Sequence, residues 1–592
     1  MPNTVEIKVK EHRLHVKSKY DTRLVTFMRS ISSRTWDAKN KIWIIPEDTL
    51  PKLISLVADL GYEYAVEYEE VQEIEPVPIP DWYEFKTTPL ACQEEGIKYA
   101  LAHPKFLLAD EQGIGKTKQV IDTACIRKRL NGVKHVLIIT CVNGLKYNWR
   151  SEVEKHSNES AYILGTRYTK KGREYIGSNE ERLADLKQLG TGSAIDDHYF
   201  IITNIETLRY NKTVVKPTKR KRKDGTYIEK KERVFPIMDE INRQIESGNI
   251  NMVAADEIHR CRNSAALQGQ AILSISCDNM IAITGTPVMN RPIDAYVPLA
   301  WLGFETHTYW QFENHYCVKG NFHQIIGYQH LCDLQATLDK CMIRRLKADV
   351  LDLPEKIYIN DYVEMTPEQI KLYTAILDEQ DDIDMSQPQP TKLLAILTRL
   401  RQTTGNPSML SDKIKSNPKY DRMLELLDDV VDNGGKALVY SNWTQVLNPA
   451  FELAKKKGFN PALYTGENTK TREQEKDRFK SDPNCKVIFG TIGAMGTGLT
   501  LTEANTVIFL DEPWSRAIKD QCEDRVHRIG TVTSPNIITL ICKGTIDEAV
   551  SNIIYKKGKL SDIVVDKEED IVHNAALIQR LLEIEKTGIK RG

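Results

Sequence analysis

Long apolar runs are missing from this chain of 592 residues. None approaches the about 18 uncharged apolar residues that a membrane-crossing helix needs, so no membrane span is expected. The opening Met1-Pro2-Asn3-Thr4-Val5-Glu6 lacks the basic and apolar regions of a secretory signal. Paired cysteines are missing too. The eleven cysteines are scattered with no Cys-x-x-Cys, and Cys141 and Cys542 fall inside apolar runs. That pattern reads as reduced thiols in a reducing compartment. Net charge is nearly absent, at −1, so the total names no partner. No short-period repeat or long low-complexity tract is present.

What is there is an ordinary globular composition, 41% hydrophobic and 28% charged. The length exceeds what one core supports, so about three to four domains are expected. Charge is uneven along the chain. Residues 211–235 hold ten Lys/Arg against three Asp/Glu, whereas residues 67–81 hold six acids and no base. Local charge decides nucleic-acid affinity, so a neutral total does not exclude DNA.

Residues 1–66 form a candidate α+β module. Val5–Lys10 and Leu14–Lys17 alternate apolar and polar residues, as half-buried strands do, and Leu50–Leu60 has helical spacing that ends at Gly61. Residues 67–83 combine acids with Pro76, Pro78 and Pro80, the composition of a semi-rigid linker. From residue 84 strand and helix patterns alternate. Phe106–Ala109, Val136–Cys141, Tyr199–Thr203, Met252–Ala255 and Met280–Ile283 are short apolar runs, and Thr117–Leu130 is a predicted helix. A second alternation supplies Ala437–Tyr440, Ala462–Tyr464, Val487–Phe489, Val507–Leu510 and Ile537–Ile541, with predicted helices Lys470–Lys480 and Ala517–Ile529. Fully apolar strands between helices predict parallel sheets covered on both faces. The expected lobes are 84–340 and 341–555, followed by a helical tail at 556–592; residues 378–390 read as a surface loop.

Gly113-Ile114-Gly115-Lys116-Thr117 joins a strand to a helix. Such a loop points backbone N–H groups and the helix dipole at an anion. Lys116 is placed to reach the β- and γ-phosphates of a nucleotide, and Thr117 to offer a hydroxyl to Mg²⁺. The generic pattern begins with Gly six residues earlier, where this chain has Asp110. Asp256-Glu257-Ile258-His259 follows an apolar run, so both carboxylates fall at a strand's C-terminal end, where open α/β sheets place their sites. Asp256 is the candidate Mg²⁺ ligand and Glu257 the candidate general base for water. Thr284-Gly285-Thr286-Pro287 is a candidate phosphate sensor. In Gln521-Cys522-Glu523-Asp524-Arg525-Val526-His527-Arg528-Ile529-Gly530, Arg525 and Arg528 fall three apart on the predicted helix and share a face. Arginines so placed neutralise charge on a transferring phosphoryl group.

These motifs, in this order, resemble the Swi/Snf-related family of superfamily-two helicase ATPases. Asp110-Glu111-Gln112-Gly113-Ile114-Gly115-Lys116-Thr117 is similar to the family's motif I variant, which has Asp where the generic pattern has Gly. Thr88–Gln93 resembles the Q motif, with Gln93 the adenine contact. Leu137–Trp149, Ile201–Leu208, Ile283–Asn290, Leu438–Asn442 and Gly490–Leu501 resemble motifs Ia, Ib, III, IV and V. Ile343–Val350 with Leu353–Lys356 resembles the inter-lobe segment. Arg399–Pro407 resembles a further block, with Asn406 where His is usual. Asp524–Gly530 matches motif VI, with Thr531 in place of the usual Gln. The resemblance implies two RecA-like lobes, Mg²⁺ and ATP, and translocation on double-stranded DNA.

Tyr20–Val25 and Trp36–Pro46 resemble the HARP domain of annealing helicases, and Gly496–Leu501 leans toward that branch. Trp36 and Trp43 fit either a base-stacking surface for single strands or a small core. Lys219, Arg220, Lys221, Arg222 and Lys223, followed by Asp224-Gly225, predict a basic hairpin that grips a DNA backbone. His315, Cys317, His323, His330 and Cys332 match no finger spacing, so ordinary core and surface roles are expected there. The leading expectation is a DNA-dependent ATPase that moves on duplex DNA and remodels or anneals forks. An ATP-driven remover of proteins from DNA, and a DNA-structure-binding protein with a silent ATPase, are the alternatives. The expected location is cytoplasmic for a bacterial or viral chain and nuclear for a eukaryotic one.

Overall fold

The computed structural model describes residues 4–551, apart from 11–12, 32–33, 69–74, 143, 222–226, 288–290, 321–324, 380–389, 469–470 and 497–498. The expected loop at 378–390 and tail at 556–592 therefore lie largely or wholly outside the described residues. Two compact units are present. The first comprises Met1–Asp110, Lys116–Val288 and Pro292–Arg345; the second comprises Glu111–Gly115, Met289–Arg291 and Leu346–Gly592. Among the described residues no helix is long and apolar enough to cross a membrane.

The first unit opens with β1 (Thr4–Lys10), β2 (Arg13–Lys17), α1 (Thr22–Ser30), β3 (Thr35–Asp37), β4 (Ile42–Pro46), α2 (Leu50–Asp59) and β5 (Glu63–Tyr68). The strands form one sheet in the order β3-β4-β2-β1-β5. Alternation in the strands buries Val5, Ile7, Leu14, Val16 and Ile45 against Leu24 and Met28 of α1 and Leu53 and Val57 of α2. Asp21 starts α1 by accepting hydrogen bonds from the Arg23 and Leu24 amides, a side-chain cap of two otherwise orphaned donors. Glu75–Pro80 of the linker has no regular structure.

The same unit then builds a seven-stranded sheet. Its strands are β6 (Lys105–Leu108), β7 (His135–Thr140), β8 (Ala161–Ile163), β9 (Phe200–Asn204), β12 (Ile250–Asp256), β13 (Asn279–Ile283) and β16 (Met342–Ile343). Between them β10 (Lys212–Lys221) and β11 (Tyr227–Val234) make a separate antiparallel hairpin, and so do β14 (Cys317–Lys319) and β15 (Ile325–Tyr328). The sheet order is β16-β6-β13-β12-β7-β9-β8, and every pairing is parallel. All six residues of β7 are buried. Burial on both faces is why these strands read as unbroken apolar runs. Helices α3 (Ala91–Ala102) and α4 (Lys116–Leu130) flank β6 in the chain, and α5 (Tyr309–Tyr316) and α6 (Leu331–Cys341) flank the β14–β15 hairpin.

The second unit holds β17 (Ile357–Val363), β18 (Ala437–Ser441), β19 (Ala462–Tyr464), β20 (Val487–Thr491), β21 (Thr506–Phe509) and β22 (Asn536–Cys542). They form a six-stranded sheet in the order β17-β22-β21-β18-β20-β19, again parallel throughout. The expected fold class, two parallel-sheet α/β lobes behind a small α+β module, is what the chain adopts.

One predicted element is corrected. The helix expected over 517–529 is α7 (Arg516–Glu523) and stops at Glu523. Beyond it the main chain tightens, with the Arg525 amide donating to Cys522 O and the Val526 amide to Glu523 O. The cause is tertiary. Asp524 lies buried between Lys347 Nζ at 2.6 Å and Lys356 Nζ at 3.1 Å. Arg525 Nε donates to Gln521 O and its Nη1 to Leu499 O. Arg525 and Arg528 therefore stand on a tight turn past the helix and not on one helical face.

Candidate nucleotide site

The loop after β6 turns sharply into α4. Gly113 and Gly115 both have φ of 92°, a left-handed conformation that side chains other than glycine rarely adopt. Lys116, the first residue of α4, folds back so that Nζ donates to Asp110 O at 2.7 Å. Its ammonium thus stands over the loop whose N–H groups precede the helix N-terminus, the arrangement that favours phosphate. Thr117 follows it in the first turn of α4.

Asp110 is fully buried, and its carboxylate receives Arg345 Nε at 2.9 Å, Arg345 Nη2 at 2.5 Å and Gln119 Nε2 at 2.9 Å. A bidentate arginine fixes a carboxylate in both distance and plane. The aspartate that replaces the generic glycine thus anchors the base of the loop. Arg344 adds to this, donating to Ala109 O and Gly285 O. The sequence places both arginines in the segment Ile343–Val350 but does not show these partners, which lie 59 to 235 positions away. Gln93 Oε1 accepts the Leu90 amide at 3.1 Å and caps α3.

At the end of β12, Asp256 Oδ2 accepts from Trp149 Nε1 at 2.8 Å. Burial pushes the Asp256 carboxyl well above the usual carboxylate range and the charge of Glu257 adds to the rise, while Trp149 and the positive charge of Lys116 pull it back. A carboxylate pair in this position is stabilised as a dianion by a cation, and the oxygen donors of Asp256 and Thr117 are the hard ligands that Mg²⁺ prefers. Glu257 has φ of 55°, a strained backbone for a residue with a side chain. Its Oε2 stands 3.2 Å from His259 Nδ1, which in turn stands 2.9 Å from Thr284 Oγ1. The candidate base is therefore coupled through a histidine to the strand end at Thr284-Gly285-Thr286-Pro287. The Thr286 amide donates to the same Thr284 hydroxyl at 3.0 Å.

In the second unit, Arg528 Nη1 donates to Thr500 Oγ1 at 2.7 Å. Arg525 is buried, donating to the Gln521 and Leu499 carbonyls and, from Nη2, to Gln112 Oε1 at 2.6 Å, whereas Arg528 is partly exposed. Lys356 Nζ bridges Glu523 at 2.9 Å and Asp524. Burial drives the Asp524 carboxyl up, but Lys356 and Lys347 outweigh it and hold it at about 2. Asp524 stays ionised, and this network fixes the turn that carries the two arginines.

Set beside known proteins, the chain matches the SNF2-related domain over residues 20–409 and the helicase conserved C-terminal domain over residues 418–530. The chain belongs to the SNF2-related family. Similar SNF2-related proteins include an uncharacterized ATP-dependent helicase of Mycoplasma pneumoniae, 26% identical over 79% of this chain and 41% of its own length. The DNA annealing helicase and endonuclease ZRANB3 of Bos taurus is 25% identical over 82% of this chain and 41% of its own. A SWI/SNF-related regulator of chromatin from Mus musculus is 24% identical over 78% of this chain and 41% of its own. The chain thus aligns with 41% of the length of each. A Sulfolobus solfataricus SWI2/SNF2 ATPase core in complex with dsDNA has 21% identity and a TM-score of 0.35, with 88% of this chain and 98% of that one covered.

Two candidate DNA surfaces accompany the SNF2-related core. In the basic hairpin, Lys219, Arg220 and Lys221 fall on β10, which pairs with β11; Arg222, Lys223 and the predicted Asp224-Gly225 tip lie outside the described residues. In the N-terminal sheet, Trp36 pairs with Trp43, opposite Val16, on the face that carries the core. Trp43 packs against that core, while Trp36 is 47% exposed at the sheet edge with its ring 4.9 Å from Trp43. Lys8, Lys10, His15 and Lys17 line the opposite face, around an open depression of about 600 Å³ interleaved with Glu6 and Glu67. Aromatics and lysines thus fall on opposite faces, because adjacent positions of a strand point to opposite sides.

Proposed function

We propose that this chain is a DNA-dependent ATPase that translocates on double-stranded DNA and remodels or anneals structures such as forks. The observation that carries the reading is the buried Asp256–Glu257 pair at the end of β12, held under the charge of Lys116. Membership of the SNF2-related family supports it. In this reading the loop Asp110, Glu111, Gln112, Gly113, Ile114, Gly115 cradles the phosphates, Lys116 binds the β- and γ-phosphates, and Gln93 contacts adenine. Thr117 and Asp256 would hold Mg²⁺, which when bound would supply positive charge to offset that of the phosphates. Glu257 accepts a proton from the attacking water, and its strained backbone and His259 contact keep the carboxylate aimed. Arg525 and Arg528 offer positive charge to the phosphoryl group in flight.

Steady-state ATP hydrolysis with no DNA, single strands, duplex and forked DNA tests this reading. Duplex or fork is expected to accelerate turnover. A rate indifferent to every DNA would leave a protein- or RNA-directed motor, or a binding protein with a silent ATPase.

The hairpin at Lys219, Arg220, Lys221, Arg222 and Lys223 is proposed as a backbone grip. Replacing all five by Gln removes up to five phosphate partners. The slope of log K against log salt should then flatten by about 0.9 for each phosphate left without its cation. Duplex binding by fluorescence anisotropy across a salt series measures it, and an unchanged slope would leave the hairpin as plain surface.

A further inference from the structure

The insert of the first unit brings together three side chains that the sequence keeps apart. His315 is near the end of α5, His330 caps α6, and Asp333 lies in the first turn of α6. His315 Nε2 stands 3.1 Å from Asp333 Oδ2, and His330 Nδ1 stands 3.9 Å from the same oxygen. The three ligand atoms all lie within 4.8 Å of one another. Two donors each about 2.0–2.1 Å from a tetrahedral zinc ion stand about 3.3 Å apart, so these separations bracket that value. A single hydrogen bond accounts for the His315 contact. His330 Nδ1 faces the same oxygen from beyond hydrogen-bond reach, with Arg13 Nη2 as its hydrogen-bond neighbour.

The other oxygen of Asp333 is already occupied. Arg13 Nε, from β2, donates to Oδ1 at 2.5 Å. Arg13 Nη2 also lies 3.4 Å from His330 Nδ1. The guanidinium thus orients the carboxylate from behind and leaves Oδ2 toward the two imidazoles, the role a supporting partner plays at metal sites. The rings of His315 and His330 stack at 4.5 Å with 16° between planes. His330 is held at φ of 56°, a left-handed conformation that a residue with a side chain keeps only where its surroundings impose it.

We propose that His315, His330 and Asp333 bind a divalent transition-metal ion of the zinc class. Two imidazoles and one carboxylate form a nitrogen-and-oxygen donor set that suits zinc over calcium or magnesium. His315 is exposed and the other two are partly so, which leaves a coordination position open to water. The ion ties the end of α5 to the start of α6 across the β14–β15 hairpin. Through Arg13 it also fastens the N-terminal sheet to this insert. Of the neighbouring histidines and cysteines, Cys317 is buried in β14 and His323 lies outside the described residues. Asp333 is the ligand that a search for His and Cys spacing misses.

The test uses the full chain, stripped with chelator and kept free of nucleotide, titrated with Co²⁺ and then Zn²⁺. One equivalent of Co²⁺ should bind with the visible absorption of a low-symmetry nitrogen-and-oxygen site, and Zn²⁺ should displace it and raise the melting temperature. His315→Ala removes an exposed side chain and should lower affinity more than the about 10–100-fold typical of losing a supporting partner. Arg13→Met should keep the stoichiometry and lower affinity within that about 10–100-fold range. Wild-type protein that binds no more Co²⁺ than His315→Ala would overturn the proposal and leave a histidine–aspartate hydrogen bond. Unchanged binding in His330→Asn would overturn it as well.

Discussion

Lys116→Ala is expected to abolish ATP turnover, with kcat/KM falling on the order of 10³-fold. The side chain folds back over the loop, with Nζ 2.7 Å from Asp110 O. Gly113 and Gly115 leave the backbone open for phosphate, but backbone amides alone supply partial charges and no full positive charge. Nucleotide affinity should fall along with turnover, since the β- and γ-phosphates lose their cation in both ground and transition states. The fold should survive. Asp110 is pinned by Arg345 and Gln119, hydrogen bonds in which Lys116 takes no part. Equilibrium nucleotide titration, steady-state hydrolysis and a melting curve together check the expectation. Wild-type turnover in the variant would remove this loop from the site.

Arg528→Ala is expected to cost on the order of 10³-fold in kcat while nucleotide affinity stays near wild type. An arginine that acts on charge developed in flight contributes to the transition state and little to the ground state. Arg528 is the cleaner probe of the pair. Its Nη1 bonds a threonine hydroxyl, Thr500 Oγ1, on a partly exposed side chain. Arg525 instead holds the Leu499 and Gln521 carbonyls and Gln112 Oε1 from a buried position, so its truncation strands three acceptors and lowers stability as well as rate. Comparing the two variants separates chemistry from folding: the Arg528 variant should melt as wild type does, and the Arg525 variant earlier. Undiminished kcat in the Arg528 variant would sink the role given to the motif VI arginines.

The parallel strands are legible in the sequence because their burial on both faces leaves an uninterrupted apolar run. The apolar runs Val136–Cys141 and Ala437–Tyr440 fall within one residue of the observed β7 and β18. The Asp256–Glu257 pair is legible for the same reason, since a strand's end is marked by its first charges. The end of α7 is not. Helical spacing continues past Glu523, but Lys347 and Lys356, more than 160 positions earlier, pull Asp524 into a buried ion cluster and turn the chain. The role of Asp110 is equally hidden, because its partner Arg345 is supplied by a segment distant in sequence. The two tryptophans show a limit of composition. Aromatic and basic residues in one small module suggest a single stacking surface, yet strand alternation sends them to opposite faces of the sheet. Local pattern decides which elements form; the long-range pairs that shape a site are set only when those elements meet.

The central claim is ATP-driven movement along duplex DNA, and displacement of a third strand tests it most directly. A labelled oligonucleotide is annealed as a triplex on one stretch of a linear duplex, and the full chain is added with Mg²⁺ and ATP. The account predicts release of the third strand that requires hydrolysable ATP, is abolished in Lys116→Ala, and starts later as the duplex beside the triplex is lengthened. Hydrolysis stimulated by duplex without any release of the third strand would contradict it.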